Sequence, residues 1–567
     1  MDEKGSVSPL IILPGINHSP VYLYGENGEP VKNSQGKDVG GTLLIPDVDA
    51  LKEKLPGLIK AIALSSVTRK SEEVRARAYE CGKALCRAQK CGKDGNFVNN
   101  LKVKRFEYPI SEMDEETKKW AYVMVPIQGL TEQIGEENVF FFTFNLAGDP
   151  MESAKELKDY VALVKEKTGS EKVSFLPVSL GGTILTAYAY LYGLEDIDRI
   201  VNIVACLDGT DIVADIFAGE FDTSDRFLRH ELLPAVIKEE TGKALPGYAA
   251  NILLHALPEK AFTGALDGFI GGMLDEFMLY CPQFWAMVPS YRYDALAEKR
   301  LSSPELKELK SKTDAFQKAR LSLGDTLIKA QKDGVKIDFI AAGGLSFGDK
   351  EYGILSAVKS KNAYSTDGVV NLSSETLGAY GAPKGQKLPK GYRQVRECAE
   401  EPGYSYISPD GSIDASRAAL PDNVWIFCGQ HHEVGKNSAV LNLAADIYLG
   451  KVKNVHSDPQ GHPQFNNPEN TYHLRRWRLA DAKRALEDVY SGKIKTAPSV
   501  KARLEQSIKD AEKVLESRIA DEFEAEKVKR EIDDILIRLG RAEAPAKESK
   551  VKKAIEKAAE KISEATV

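Results

Sequence analysis

Short, wholly apolar runs alternate along this chain with longer stretches in which apolar residues recur every three or four positions. Leu10-Ile11-Ile12-Leu13 reads as a strand buried on both faces, breaking into the loop Ile16-Asn17-His18-Ser19-Pro20. Residues 139–145 (VFFFTFN) predict a second strand. Asp149-Pro150-Met151-Glu152 follows as a helix start: a capping aspartate, proline at the first position and glutamate at the third. Ala154, Leu157, Val161 and Val164 form its core stripe. Val173, Phe175 and Leu176 predict another strand, Ser179-Leu180-Gly181-Gly182 an abrupt corner, and Ile184, Leu185, Ala187, Tyr188 and Leu191 a helix. Further strands are expected at 200–205, 335–340 and 423–427, with a last helix of this series near 437–449. Strands alternating with helices predict an α/β fold with a mainly parallel sheet and right-handed crossovers.

The rhythm breaks twice. Residues 212–334 read as helices only, a cap or lid inserted between a first core segment (1–211) and a second (335–469). Within the first segment, YGENGEPVKNSQGKDVGG reads as an excursion over the surface. Beyond 470 the sequence turns rich in Lys, Glu and Ala, with apolar residues such as Leu504, Ile508, Val514 and Leu515 at helical spacing. Residues 470–567 therefore predict an appended helical hairpin or short bundle with a charged tail (KVKKAIEKAAEKISEA). These helices are either solvated or a docking surface for a protein partner or a second copy.

Composition narrows the function classes. A 567-residue chain that is 43% hydrophobic can bury a large core. A net charge of -7 argues against nucleic acid as the main partner, since phosphate binding needs concentrated positive charge. No run of about 18 apolar residues occurs, so no spanning helix is expected. MDEKGSVSPL lacks the basic and apolar regions of a leader, so a cytoplasmic protein is expected, or a secreted one if a leader was removed. The seven cysteines do not suggest a disulfide framework. Cys81, Cys86 and Cys91, at five-residue steps, would rotate around a helix axis instead of lining one face. Free thiols are expected there, and no metal or cofactor is assigned.

The corner at Ser179 carries the candidate chemistry. A strand, a sharp turn holding serine and a helix make the geometry of a nucleophile elbow, although Pro177 stands where the motif has a glycine. A serine hydroxyl needs a base to take its proton and a carboxylate to fix that base. Asp367, in the turn Ser365-Thr366-Asp367-Gly368, and the pair His431-His432, after the strand at 423–427, follow in the order Ser, Asp, His. The amides of Ile16 and Leu180 are placed to hold an oxyanion.

Several motifs together resemble the lecithin:cholesterol acyltransferase family of α/β-hydrolases. Ile12-Leu13-Pro14-Gly15-Ile16 is similar to its opening strand and V-P-G turn, and Lys167-Thr168-Gly169 to the end of the helix before the nucleophile. Val178-Ser179-Leu180-Gly181-Gly182 matches its elbow, Pro282–Ser290 its cap motif, and Asp367-Gly368-Val369-Val370-Asn371-Leu372 its acid motif. Its histidine pattern places the base at His431, before Val434 and Asn437, with His432 as the fallback. The family's Y-D-W-R is absent; Asn145-Leu146-Ala147-Gly148 stands there. The resemblance spans roughly 9–450. It implies a serine ester hydrolase or acyltransferase acting through an acyl-enzyme on a lipid or other hydrophobic ester, with contact to a lipid interface. Met273, Phe277, Phe284, Trp285 and Met287 in the cap are candidate substrate-binding residues, the alternative being that they are the cap's own core, and the cap's glycines could let it move as a lid. The rival readings are an inactive hydrolase fold that binds ligands, and a scaffold working through its C-terminal helices.

Overall fold

In a computed structural model, describing residues 7–541 apart from 17, 35, 42–44, 221–258, 349–357, 435–436, 467–478 and 517–521, the apolar runs become one parallel sheet. Its strands are β1 (Leu10–Leu13), β2 (Val139–Phe141), β3 (Val173–Pro177), β4 (Ile197–Ile203), β5 (Lys336–Gly343), β6 (Val424–Cys428) and β7 (Phe465–Asn466). They lie in the order β7-β6-β5-β4-β3-β1-β2, every neighbouring pair parallel. The strands in the middle of the sheet are covered on both sides, which is why they read as unbroken apolar runs instead of alternating. β7 was not anticipated; two residues are too short to leave a pattern.

The protein is thus an α/β fold. Helix α3 (Pro150–Thr168) starts where expected: the Asp149 side chain accepts from the Met151 amide at 2.9 Å, and Gly169 ends the helix in the left-handed conformation. The anticipated stripe is buried against helix α4 (Gly181–Tyr192). Helix α5 (Asp211–Ala218) follows β4, the short helix α10 (Leu372–Thr376) follows the turn at Asp367, and helix α11 (Ser438–Tyr448) follows β6.

The cap segment is helical over its described part: α6 (Glu259–Glu276), α7 (Pro282–Ala286), α8 (Ser290–Leu301) and α9 (Lys307–Lys332). Its first stretch, 221–258, lies outside the described residues. α6 packs along α2 (Glu72–Cys86), beside α1 (Val48–Thr68). The glycines of α6 have a specific role there. A Cβ at Gly268 would meet the Arg75 carbonyl oxygen at 2.2 Å, and one at Gly272 that of Tyr79 at 2.1 Å. At these two positions glycine lets two helix backbones touch, a packing reason for it that the sequence did not show.

The polar stretch Tyr24–Gly41 runs over the surface as expected, with only its last two residues entering a strand. Residues Val21–Leu23 pair antiparallel with both Gly40–Gly41 and Leu101–Val103, forming a small three-stranded sheet. Cys81, Cys86 and Cys91 are buried free thiols.

Two compact units emerge, Met1–Asn466 and Asn467–Val567, so core and cap form one body. The second unit contains α12 (Leu479–Tyr490), α13 (Pro498–Glu516) and α14 (Glu522–Arg538) around its own core of Leu479, Leu504, Ile508, Val514, Ile532 and Ile535. The charged tail lies outside the described residues. Among the described residues no helix is long and apolar enough to cross a membrane.

Candidate active site

β3 ends at Pro177, and the chain turns through Val178, Ser179 and Leu180 into α4. Ser179 has φ +51, a conformation that a non-glycine residue adopts only when its surroundings enforce it. The Ser179 amide donates to the Ile203 carbonyl at 3.2 Å, and its own carbonyl accepts from Gly182 at 3.0 Å and Cys206 at 2.7 Å. A Cβ at Gly181 would meet the Leu13 carbonyl oxygen at 2.0 Å, so only glycine fits between the corner and β1. Pro177 is accommodated by a gap in pairing. The register with β4 lapses after Phe175↔Ile200 and returns only as the bridge Val178↔Ile203, so the missing N–H falls in the gap.

Ser179 is 8% exposed, and its Oγ lies 2.8 Å from Nε2 of His432. His432 Nδ1 hydrogen-bonds Oδ2 of Asp367, which is fully buried. The other carboxylate oxygen, Oδ1, accepts from the amides of Val369 at 2.8 Å and Val370 at 2.7 Å. Burial works to raise the Asp367 pKa, but the charge of His432 and these hydrogen bonds outweigh it and hold the carboxyl below its ordinary range. Beside it lies the buried carboxyl of Glu375, whose Oε2 accepts from the Ala342 amide at 2.8 Å. Burial and the Asp367 charge push Glu375 well above the carboxylate range, so it keeps its proton next to an ionised partner.

The histidine assignment needs correction. His432, not His431, reaches Ser179. The His432 amide donates to the Asp367 carbonyl at 2.9 Å, which registers this residue against the acid loop. His431 instead faces its own loop, its Nδ1 accepting from the Glu433 amide at 3.4 Å.

His18 belongs to the site too. A Cβ on Gly15 would meet Ser179 Cβ at 2.9 Å and the His18 ring at 3.3 Å, so the loop after β1 lies against the corner. The Gly15 amide donates to His18 Nδ1 at 3.1 Å, leaving the proton of a neutral ring on Nε2. Burial, with the charge of His432 second, drives the His18 pKa down to about 4. The amides of Ile16 and Leu180 have no acceptor among the described residues, as donors waiting for an oxyanion would.

Of the cap residues, Phe277, Phe284, Trp285 and Met287 are buried in the main core, with Met273 packed against it. Trp285 stacks obliquely on Phe217 at 4.9 Å, donates from Nε1 to the Leu279 carbonyl at 2.9 Å, and meets Tyr293 edge-on. Gln283 ties this packed segment to α4, its Nε2 donating to Thr183 Oγ1 at 2.8 Å. These residues act here as internal packing.

Sequence reading gave no role to His18 or Glu375. The turn Pro14-Gly15 before His18 was a signal for the first; nothing local marks the second. Among known proteins, no family model and no curated protein matches the chain. One solved chain, from a crystal structure of a Tle4–Tli4 complex, is 12% identical, with 79% of this chain and 99% of that one covered at a TM-score of 0.30. A likeness that distant carries no argument.

Proposed function

We propose that the protein is a serine ester hydrolase acting through an acyl-enzyme, with a lipid or other hydrophobic ester as substrate. The observation that carries this reading is the continuous relay from Ser179 Oγ through His432 to the buried carboxylate of Asp367. As Ser179 attacks an ester carbonyl, His432 Nε2 takes its proton, and Asp367 holds the resulting imidazolium. The carbonyl oxygen gains charge between the amides of Ile16 and Leu180. Collapse breaks the bond to the alcohol, which leaves with the proton from His432. Water then repeats the sequence on the acyl-serine and releases the acid; an alcohol in place of water gives acyl transfer instead.

The relay supports attack on an acyl carbonyl through an acyl-serine, and both the ester and the hydrophobic acyl part come from the resemblance to the lecithin:cholesterol acyltransferase family, which remains part of this proposal. A panel of acyl esters of increasing chain length tests both. Turnover rising with chain length and absent in Ser179→Ala is expected. Turnover unchanged in Ser179→Ala removes the mechanism, and a preference for acetyl over longer chains removes the lipid assignment.

A further inference from the structure

At the other end of β6 lies a cluster that the hydrolase reading does not use. Asp422 immediately precedes this strand in the turn Pro421–Asn423, Cys398 lies in the irregular segment between Gly381 and Ile413, and His456 lies in the turn after α11. Cys398 Sγ is 3.4 Å from His456 Nε2 and 3.7 Å from Asp422 Oδ1, and Nε2 to Oδ1 is 2.9 Å. The three donor atoms lie within 4.8 Å of one another. His432 follows the C-terminal end of the same strand, so five residues of extended chain, on the order of 16 Å, separate this cluster from the catalytic relay.

The donor set and spacing are those of a borderline-soft divalent cation. Tetrahedral zinc with Zn–S of about 2.3 Å and Zn–N or Zn–O of about 2.0 Å requires donor–donor separations of roughly 3.3–3.6 Å. The observed triangle brackets that range, its shortest edge being the one that a proton now bridges. The surroundings are arranged as around a ligated metal. The Glu401 amide donates to Cys398 Sγ at 3.3 Å, a contact suited to a thiolate. The Glu401 carboxylate, largely exposed, stands 3.3 Å from His456 Nδ1 without hydrogen-bonding it, near enough to take that N–H once Nε2 ligates an ion. Tyr406 hydrogen-bonds Asp422 through its hydroxyl, and Tyr404 meets the His456 ring edge-on at 4.6 Å. Cys398 is buried while Asp422 and His456 are partly exposed, leaving a path for the ion and for a fourth ligand from water.

We propose that Cys398, Asp422 and His456 form a structural site for zinc or a chemically similar divalent cation, which pins the 382–412 excursion and the turn after α11 to the base of β6. Binding replaces the thiol proton, which is released to solvent, and ligates the neutral imidazole through Nε2. The catalytic proposal is independent of it.

Full-length protein, stripped with chelator and kept reduced by a phosphine, is titrated with cobalt(II). One equivalent should bind, with a thiolate-to-cobalt charge-transfer band and the intense visible bands of a tetrahedral site. Zinc should abolish both and raise the thermal midpoint of the wild type. Cys398→Ser should lose the charge-transfer band and the zinc-dependent midpoint shift, whereas Cys428→Ser should keep both. Glu401→Gln, which touches no metal, should weaken affinity about 10-fold or more. Absence of a thiolate band in the wild type, or its persistence in Cys398→Ser, overturns the proposal. The wild-type arm decides the matter even if a variant fails to fold.

Discussion

His18 should make the catalytic unit acid-sensitive in a way that one substitution removes. Its ring is taken from an ordinary value of 6.5 down to about 4, chiefly by burial. Above about pH 6.5 the ring is neutral in folded and unfolded chains alike and contributes nothing to the pH dependence. Below it, the unfolded chain takes up a proton that the folded protein refuses. Stability is therefore lost as pH falls from about 6.5, and the loss levels off below about 4. At about 1.36 kcal/mol for each pH unit, that gap amounts to roughly 3 kcal/mol. His18→Gln keeps an oxygen that can accept from the Gly15 amide but does not titrate. Urea unfolding followed by tryptophan fluorescence, at pH values spaced from about 7 to 4, should show near-equal stability at the neutral end. At the acid end the variant should be the more stable by roughly 2–3 kcal/mol, other acid-labile groups being common to both proteins. Parallel decline of the two proteins across this range would refute the reasoning.

Four further outcomes follow from particular contacts and from the boundary at Asn466. Gly181→Ala places a Cβ at 2.0 Å from the Leu13 carbonyl oxygen, backbone against backbone, and should cost about 4 kcal/mol or more, read as a fall in thermal midpoint or loss of soluble protein. Asp367→Asn should slow active-site labelling about 10⁴-fold. Glu375→Gln, exchanging one neutral group for another, should stay within about 10-fold with its pH profile unshifted; a displaced acid limb would show that Glu375 carries charge. A chain ending at Asn466 should retain labelling, since that unit carries Ser179, Asp367 and His432 and a core of its own; loss of labelling in a folded truncate would tie the chemistry to the C-terminal helices.

What could be read from the sequence was local. Buried parallel strands announce themselves as apolar runs, and the corner at Ser179 is written in consecutive residues: strand, serine, two glycines, helix. What could not be read depends on chain segments far apart. Which of two adjacent histidines turns toward Ser179 is decided by a backbone hydrogen bond to Asp367, 65 residues earlier. The strand Val21–Leu23 left no sign of its own because its partner, Leu101–Val103, lies roughly 80 residues on, across two helices, and β pairing at that distance leaves no local periodicity. The glycines of α6 read as hinges because glycine is permissive anywhere, and only the backbone of α2 shows that they are contacts. Pro177 looked like a fault in the elbow until the interrupted ladder beside it was visible.

The central claim is that Ser179 is a nucleophile driven by His432. Labelling with a fluorophosphonate, followed by intact mass and peptide mapping in four proteins, tests it most directly. The wild type should carry one adduct, on Ser179, and Ser179→Ala none; His432→Gln should label at least about 10³-fold more slowly, and His431→Gln within about 10-fold of wild type. No adduct on the wild type, equal labelling of Ser179→Ala, or greater sensitivity to His431→Gln than to His432→Gln would contradict it.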